Sequence, residues 1–388
     1  MMASSSQLTR LLPCLLLVVV WPHYAAVSAG RHDPPPPGAP CFERLFSLGD
    51  SITDAGNLAS VAPNLSVLAF PYGETFFHRP TGRFCDGRLI VDFIVEALKL
   101  RFQTPFLAGN TTAADFRQGA NFAVSGATAL SQQFFKDMGL DLAILPPFSL
   151  DVQLEWFKQV LQLLGPTEQE RQDITSRSLF LLGEIGINDY NHPFFQNRSF
   201  DDEIRPLVPK VIKKIENATK VLIGLGAKTI VVPGTIPMGC IPRYLALFQS
   251  ANPGDYDAAG CIRWLNDFAE EHNRALRHML ERVRRDADPA VAVVYADYYG
   301  AILEITRDPV KHGFSKDVAL TACCGDGGPH NSGTLIACNA TSAVLCPDPS
   351  RHISWDGVHL TEAAYQFVAR GVLDGPYAAP PILSECRC

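Results

Sequence analysis

Three side chains in this sequence have the types and placement for acyl transfer. Ser51 lies two residues beyond Gly49 in Leu45-Phe46-Ser47-Leu48-Gly49-Asp50-Ser51-Ile52-Thr53-Asp54-Ala55-Gly56-Asn57. The apolar run from Leu45 to Leu48 reads as a short buried strand, and a glycine at its end tolerates the sharp turn that lifts a side chain off it. Open parallel sheets bind ligands at the carboxyl ends of their strands, so Ser51 stands where a nucleophile is useful. Asp356 and His359 are three residues apart in Trp355-Asp356-Gly357-Val358-His359-Leu360-Thr361, across a glycine-containing turn. One loop could thus supply a general base and the carboxylate that fixes its tautomer. Two further strand ends offer oxyanion donors: Gly126 through its backbone, and Asn188, in Gly186-Ile187-Asn188-Asp189, through its amide. Taken singly, each of these stretches is also ordinary turn or cap composition. Their conjunction in one chain is what points to chemistry.

The elements that must position these groups alternate strand and helix. Strands read at 43–48, 119–124, 178–182, 228–232 and 290–296; helical spacing reads at 89–100, 150–164, 201–225, 255–285 and 361–372. That alternation predicts a parallel sheet covered on both faces, in an α/β fold. Residues 57–81 carry Gly, Pro and aromatics without a period and read as a long loop over the site. Residues 323–349 hold four cysteines among Gly, Pro and Asn, and read as a disulfide-tied loop. No repeat or linker divides the chain after the Pro-rich arm 30–41, which predicts one domain over 42–373 and a tail at 374–388.

The start of the chain reads as a secretory leader, residues 1–29. Arg10 gives the positive end, 11–20 is an apolar run interrupted by Pro13, and Val27-Ser28-Ala29 offers small residues for cleavage. The run is too short to span a bilayer. Removing Arg10 takes the net charge from −7 to −8, an acidic balance that argues against nucleic acid and anionic membranes as partners. Hydrophobic residues at 47% and charged residues at 19% describe a globular protein with a large core. Of eleven cysteines, Cys14 falls in the leader, and the remaining ten suggest disulfides. Cys240 with Cys261, and Cys324 with Cys338 or Cys346, are the candidates; spacing alone leaves the connectivity open. Asn64, Asn110, Asn197, Asn217 and Asn339 each begin a glycosylation sequon. Neither H-E-x-x-H nor facing C-x-x-C pairs occur, so no metal or other cofactor is expected, and G-x-S-x-G, the α/β-hydrolase elbow, is absent.

Four blocks in order give the chain a resemblance to the GDSL esterase/lipase family, the SGNH hydrolases, in its secreted plant branch. They are Phe46 to Asn57, Gly119-Ala120-Asn121-Phe122-Ala123-Val124-Ser125-Gly126-Ala127-Thr128, Gly186-Ile187-Asn188-Asp189, and Ser354 to Thr361. The resemblance covers about residues 42–373. It implies a three-layer α/β/α sandwich around a five-stranded parallel sheet, flavodoxin-like. It implies Ser51 as nucleophile and His359 as base, oriented by Asp356. Oxyanion donors would be the backbone N–H of Ser51 and of Gly126 and the side chain of Asn188. Ile52 replaces the leucine of the family name and keeps the apolar bulk. His330 stands where an aromatic such as tyrosine is expected, at the pocket rim.

The function so implied is a secreted carboxylic-ester hydrolase. The substrate expected is a small-molecule or polysaccharide ester with a short acyl group: acetyl esters of wall polysaccharides, or esters of plant metabolites. Phe70, Tyr72, Glu74, Phe76, Phe77, His78 and Arg79 mix aromatic faces with hydrogen-bonding groups, which suits sugar rings and phenolic esters as well as loop packing. Alternatives are a lipase for longer chains, an acyltransferase on the same acyl-enzyme, and a non-catalytic glycan-binding protein; the last would be marked by loss of Ser51, His359 or Asn188, all of which are kept. The compartment expected is the secretory pathway, at the cell wall or outside the cell, with Golgi lumen and vacuole as other destinations. Oligomeric state is left open.

Overall fold

The computed structural model describes residues 41–385 apart from 110, 142, 144–145 and 335–337. The leader, the arm up to residue 40, the Asn110 sequon and the last residues of the tail, 386–388, lie outside the described residues.

Eight strands and eleven helices are formed by the described residues. The strands are β1 (Arg44–Leu48), β2 (Gly119–Asn121), β3 (Ser178–Leu182), β4 (Thr229–Pro233), β5 (Ala292–Ala296), β6 (Cys324–Gly325), β7 (Val344–Leu345) and β8 (Ala378–Ala379). The helices are α1 (Asn57–Val61), α2 (Ile90–Ala97), α3 (Gln132–Asp137), α4 (Leu150–Leu164), α5 (Glu168–Ser176), α6 (Ile187–Phe195), α7 (Val208–Gly224), α8 (Pro242–Leu247), α9 (Arg263–Asp286), α10 (Tyr298–Arg307) and α11 (Glu362–Leu373).

The five strands expected from the sequence run parallel in the order β2-β1-β3-β4-β5. A sixth, the two-residue β8, joins the β5 edge antiparallel, so the sheet has six strands rather than five. Two residues leave no periodic signal, which is why the sequence did not disclose it. Helix α7 packs against both α4 and α9, and α11 packs against both α2 and α10. Strands covered on both faces need apolar residues without alternation, and β3 and β4 are buried along their whole length. Phe46 on β1 anchors this core: its ring lies 5.1 Å from Phe157 of α4 and 5.6 Å from Phe180 of β3.

Strand order places the site. Sheets ordered 2-1-3-4-5 change winding direction between β1 and β3, and ligands bind in the crevice there. The β1–β3 register runs level from Arg44↔Ser178 to Leu48↔Leu182. Both strands therefore end together, and the two stretches that follow, Gly49-Asp50-Ser51 and Gly183-Glu184, emerge side by side. They remain joined, since Gly183 N–H donates to Leu48 O (2.9 Å) and Asp50 N–H to Glu184 O (3.2 Å).

Several elements differ from the sequence reading. Gly186-Ile187-Asn188-Asp189 reads as a turn, yet Ile187 to Asp189 form the first turn of α6, a helix hidden in the sequence by its Asn, Asp and Pro193. Asp297, just past the strand read at 290–296, is the N-cap of α10, a helix the sequence reading did not include, accepting from Gly300 N–H at 3.0 Å. Pro206 lies in a 3₁₀ turn, Arg205–Leu207, and the regular part of α7 begins only at Val208, with Pro209 in its first turn. Disulfides join Cys240 to Cys261, Cys324 to Cys338 and Cys323 to Cys346, closing loops of 21, 14 and 23 residues. Loops of this size contribute on the order of 3 kcal/mol each in the chain-entropy view. Cys85, in contrast, is a buried free thiol, so the even count does not resolve into disulfides throughout. Asn64, Asn197, Asn217 and Asn339 are all exposed.

Candidate active site

The turn that presents Ser51 depends on Gly49. Its φ is +152°, and a Cβ there would meet Glu184 O at 2.9 Å, so a side chain fits neither the conformation nor the space. Gln153, from α4, clamps the same residue from both sides: Gly49 N–H donates to its Oε1 and its Nε2 donates to Gly49 O, each at 2.8 Å. Beyond the turn, Asp54 gathers the N–H groups of Gly56 (2.8 Å), Asn57 (2.6 Å), Leu58 (3.1 Å) and Ser125 (2.8 Å). One carboxyl thereby ties the Ser51 segment to the Gly126 segment. Burial pushes it up to about 6 against those donors. Asn57 and Asn121 tie the same segments again: Asn57 Nδ2 donates to Ala123 O at 2.9 Å, and Asn121 Nδ2 to Thr53 O at 2.7 Å.

Gly126 has φ +78°, and a Cβ there would come within 3.2 Å of Pro146. Its carbonyl accepts from His192 Nε2 at 2.9 Å. A carbonyl only accepts, so Nε2 carries the proton, and burial lowers the ring's basicity and favours the neutral form. Asn188, on the first turn of α6, donates through Nδ2 to Asp50 Oδ2 (2.9 Å) and to Ala127 O (3.2 Å). Its Oδ1 accepts from Asn191 Nδ2 at 3.1 Å, and the Tyr244 hydroxyl from α8 donates to Asn191 Oδ1. Asp189 accepts from the N–H groups of Ala129 (2.7 Å) and Leu130 (2.9 Å), fixing the loop after Gly126 to α6. Burial pushes Asp189 up to about 7. Ser51 and Asn188 each retain 8% exposure at the surface of this assembly.

The third part is the turn before α11. His359 Nδ1 lies 2.8 Å from Asp356 Oδ2 and 2.9 Å from Oδ1. Asp356 Oδ1 also accepts from Val358 N–H (3.1 Å) and His359 N–H (2.9 Å), and Oδ2 accepts from the Tyr72 hydroxyl (2.9 Å). Burial opposes the charge on Asp356, yet His359 and these donors hold it below the ordinary carboxylate range. Burial, with the charge of Asp356 beside it, pushes the Tyr72 phenol well up, so it stays a donor. The imidazole lies against Phe84, with centroids 4.9 Å apart.

Asp356 and His359 thus form a direct pair, and Ser51, Gly126 and Asn188 lie just beyond β1, β2 and β3. Sequence reasoning missed the supports: Gln153, Asp50, Asp54, Asn191, His192 and Tyr244. In the sequence Tyr72 stands out only as one of the loop aromatics. It is buried against Trp355 and Phe84 and reaches Asp356, whereas Phe70 is 56% exposed. His330 sits on the cysteine-tied loop with Nδ1 2.8 Å from Leu320 O. Among the described residues no three His, Cys, Asp or Glu side chains cluster as metal ligands.

A carboxylate-paired imidazole, with a serine and N–H donors beyond the ends of neighbouring parallel strands, is the set of groups that an acylhydrolase built on a doubly wound sheet needs. The chain belongs to the GDSL-like lipase/acylhydrolase family, whose model matches residues 45–372. A GDSL esterase/lipase of Arabidopsis thaliana is 47% identical over 349 residues, covering 89% of this chain and 87% of that protein. Another from the same plant is 46% identical over 351 residues, covering 89% and 88%. Sinapine esterase of Brassica napus is 44% identical over 350 residues, with the same coverage, 89% and 88%. The protein is an ester-bond hydrolase of this family.

Proposed function

We propose that the protein is a secreted serine esterase that hydrolyses short-chain esters through a Ser51–His359–Asp356 triad. The observation that carries the reading is the Asp356–His359 pair at 2.8 Å, with its carboxylate held ionised by three further donors. Asp356 fixes the proton on Nδ1, which leaves Nε2 free to act as base. Ser51 Oγ attacks the ester carbonyl carbon while His359 takes its proton. The negative charge moves to the carbonyl oxygen, which meets the N–H of Ser51, the N–H of Gly126 and the Asn188 amide. Collapse expels the alcohol, which takes the proton from His359 and leaves an acyl-serine. Water repeats the sequence and releases the acid.

The substrate favoured is a short acyl group on a polar alcohol: an acetyl ester of wall polysaccharide or an ester of a plant metabolite. The relative named sinapine esterase supports the metabolite arm. The same reading takes 1–29 as a cleaved leader, 30–41 as an arm, 42–373 as the hydrolase domain and 374–388 as a tail. Exposure of Asn64, Asn197, Asn217 and Asn339 supports glycosylation in the secretory pathway. No helix among the described residues is long and apolar enough to cross a membrane.

The test is a p-nitrophenyl ester series from acetyl to palmitoyl, then emulsified triolein, with Ser51→Ala beside it. Turnover should peak at short chains, and the alanine variant should lose about 10⁴-fold or more in kcat. Undiminished turnover in Ser51→Ala removes the nucleophile. A peak at long chains with a rise at the oil–water interface makes the enzyme a lipase.

A further inference from the structure

Behind Ser51 lies a pair of acids that the triad does not use. Asp50 and Glu184 are both fully buried, and their carboxyl groups are within hydrogen-bonding reach of each other. The other titratable groups around them are Asp54, Asp189, His359 and Tyr365 toward Asp50, and Asp189, Tyr190 and Tyr298 toward Glu184. Asp50 Oδ1 accepts from Ile52 N–H at 3.0 Å, and Glu184 Oε1 from Ile187 N–H at 3.3 Å. Glu184 Oε2 is buried and receives no donor from the chain. Two carboxylates this close in a dry site do not both ionise, and a proton held between them supplies the missing hydrogen bond. Burial raises both groups above the ordinary carboxylate range, and Glu184 further, because the charge of Asp50 adds to burial. Asp50 has a donor on each oxygen, Ile52 N–H on Oδ1 and Asn188 Nδ2 on Oδ2, whereas Glu184 Oε2 has none, so the shared proton sits on Glu184 and Asp50 is the anion.

That anion holds the Asn188 amide. Since Asn188 Oδ1 accepts from Asn191, Nδ2 must be the atom that faces Asp50 and Ala127. Both of its protons are then engaged: one at 2.9 Å on a carboxylate, one at 3.2 Å on a neutral carbonyl. The first bond is charge-assisted and the second is not. A neutral ester carbonyl has no advantage over Ala127 O as an acceptor. An oxyanion has one.

We propose that Asp50, backed by Glu184, is a positioning residue that pins one N–H of Asn188 so that the other, resting on Ala127 O, is transferred to the oxyanion only as charge develops there. The inference rests on the Ser51 reading above. Its consequence is that Asn188 discriminates between the bound ester and the transition state, which raises kcat with little effect on KM.

The experiment is a double-mutant cycle on the purified full chain with p-nitrophenyl acetate. Asp50→Asn should lower kcat about ten- to a hundredfold with KM within about twofold. Asp50→Asn combined with Asn188→Ala should be no slower than Asn188→Ala alone, within about twofold. Losses that multiply in the double variant, in proteins of unchanged circular dichroism, overturn the proposal. Should Asp50→Asn not fold, the wild-type enzyme labelled with ¹⁵N decides. On binding phenylboronic acid, which forms a tetrahedral anion on serine, one Asn188 amide proton should shift and the other stay. Both shifting or neither shifting overturns it. Ser51→Ala is assayed in parallel. If that variant stays active, the catalytic reading has failed; if it is dead while the cycle is multiplicative, only the Asp50 inference has.

Discussion

Replacing Tyr72 by Phe removes one oxygen and little else, and it separates packing from chemistry in the turn that bears His359. The ring should stay where it is, edge-on to Trp355 at 5.8 Å and to Phe84 at 6.3 Å. What disappears is the hydroxyl that donates to Asp356 Oδ2 at 2.9 Å. A hydrogen bond to a charged group contributes about 1.5–3 kcal/mol. Asp356 keeps three donors, the N–H groups of Val358 and His359 and His359 Nδ1, so the lower end applies. At 1.36 kcal/mol per decade, kcat/KM should fall about tenfold. The loss of Asp356 itself, in Asp356→Asn, should cost about 10⁴-fold because the wrong tautomer is then favoured. The sign of the pH effect follows from the direction of the shift. Asp356 is held below its ordinary value of 3.8. Its ionised form therefore adds stability that is present above that value and lost as pH falls through the lower, folded one. Removing a donor to the anion narrows that gap, so Tyr72→Phe should also lose stability above that value and change it less on acidification. The assays are kcat/KM for p-nitrophenyl acetate from pH 4 to 9, and thermal melts from pH 3 to 7. A folded variant with unchanged kcat/KM would refute the argument and leave Tyr72 as packing alone.

Three further outcomes are expected. Asn188→Ala should lose about 2.7–4 kcal/mol of transition-state stabilisation; steady-state kinetics should show it in kcat, and an effect confined to KM would make Asn188 a substrate-binding group. Asp54 is raised to about 6 and Asp189 to about 7 from an ordinary 3.8. Groups raised in the fold give stability that is complete below the unfolded value and lost as pH rises through the folded one. Tm should therefore be higher at pH 5 than at pH 8, and equal or reversed values in a calorimeter contradict the assignment. Removing the 14-residue disulfide loop with Cys324→Ala and Cys338→Ala should cost about 3 kcal/mol in urea unfolding, with a fall in kcat at temperatures where the fold is intact; unchanged kcat would detach that bridge from the base.

How much was legible depends on whether the cause was local. The five parallel strands were readable because burial on both faces demands apolar runs, as in Ser178–Leu182 and Thr229–Pro233. Helix α4 was readable to the residue because its apolar positions repeat at helical spacing from Leu150 to Leu164. Helix α6 was not, since its residues are nearly all buried and polar ones serve the site there, so neither periodicity nor propensity marks it. The candidate triad and oxyanion donors sit at strand and helix ends, and such ends carry sequence punctuation. Their supports do not. Gln153 is one polar residue on the buried side of an amphipathic helix, and only the approach of α4 to Gly49 gives it meaning. A buried polar residue on a readable helix face is the signal that could have found it.

The turn that bears His359, the proposed base, has a support of different origin from that of Ser51. Ser51, Gly126 and Asn188 inherit their positions from the level ends of neighbouring parallel strands. His359 has no strand behind it. Its turn is instead docked on the cysteine-tied hairpin: Cys323 N–H donates to Ser354 O at 3.0 Å and Cys324 N–H to Trp355 O at 2.7 Å. The two adjacent cysteines hold both sides of that hairpin, through Cys346 and Cys338. Arg243 N–H, at the start of α8, takes Gly357 O at 2.9 Å from the other side. Tyr244, the next residue along α8, reaches Asn191 and through it Asn188. One short helix therefore bears on the His359 turn and on Asn188 together, the proposed base and oxyanion donor. Tyr72 completes the enclosure from the long loop after β1. A change in that loop, far in sequence from residue 359, can act on the proposed base through the Tyr72–Asp356 bond. The aromatic loop thus need not touch a substrate to influence the rate.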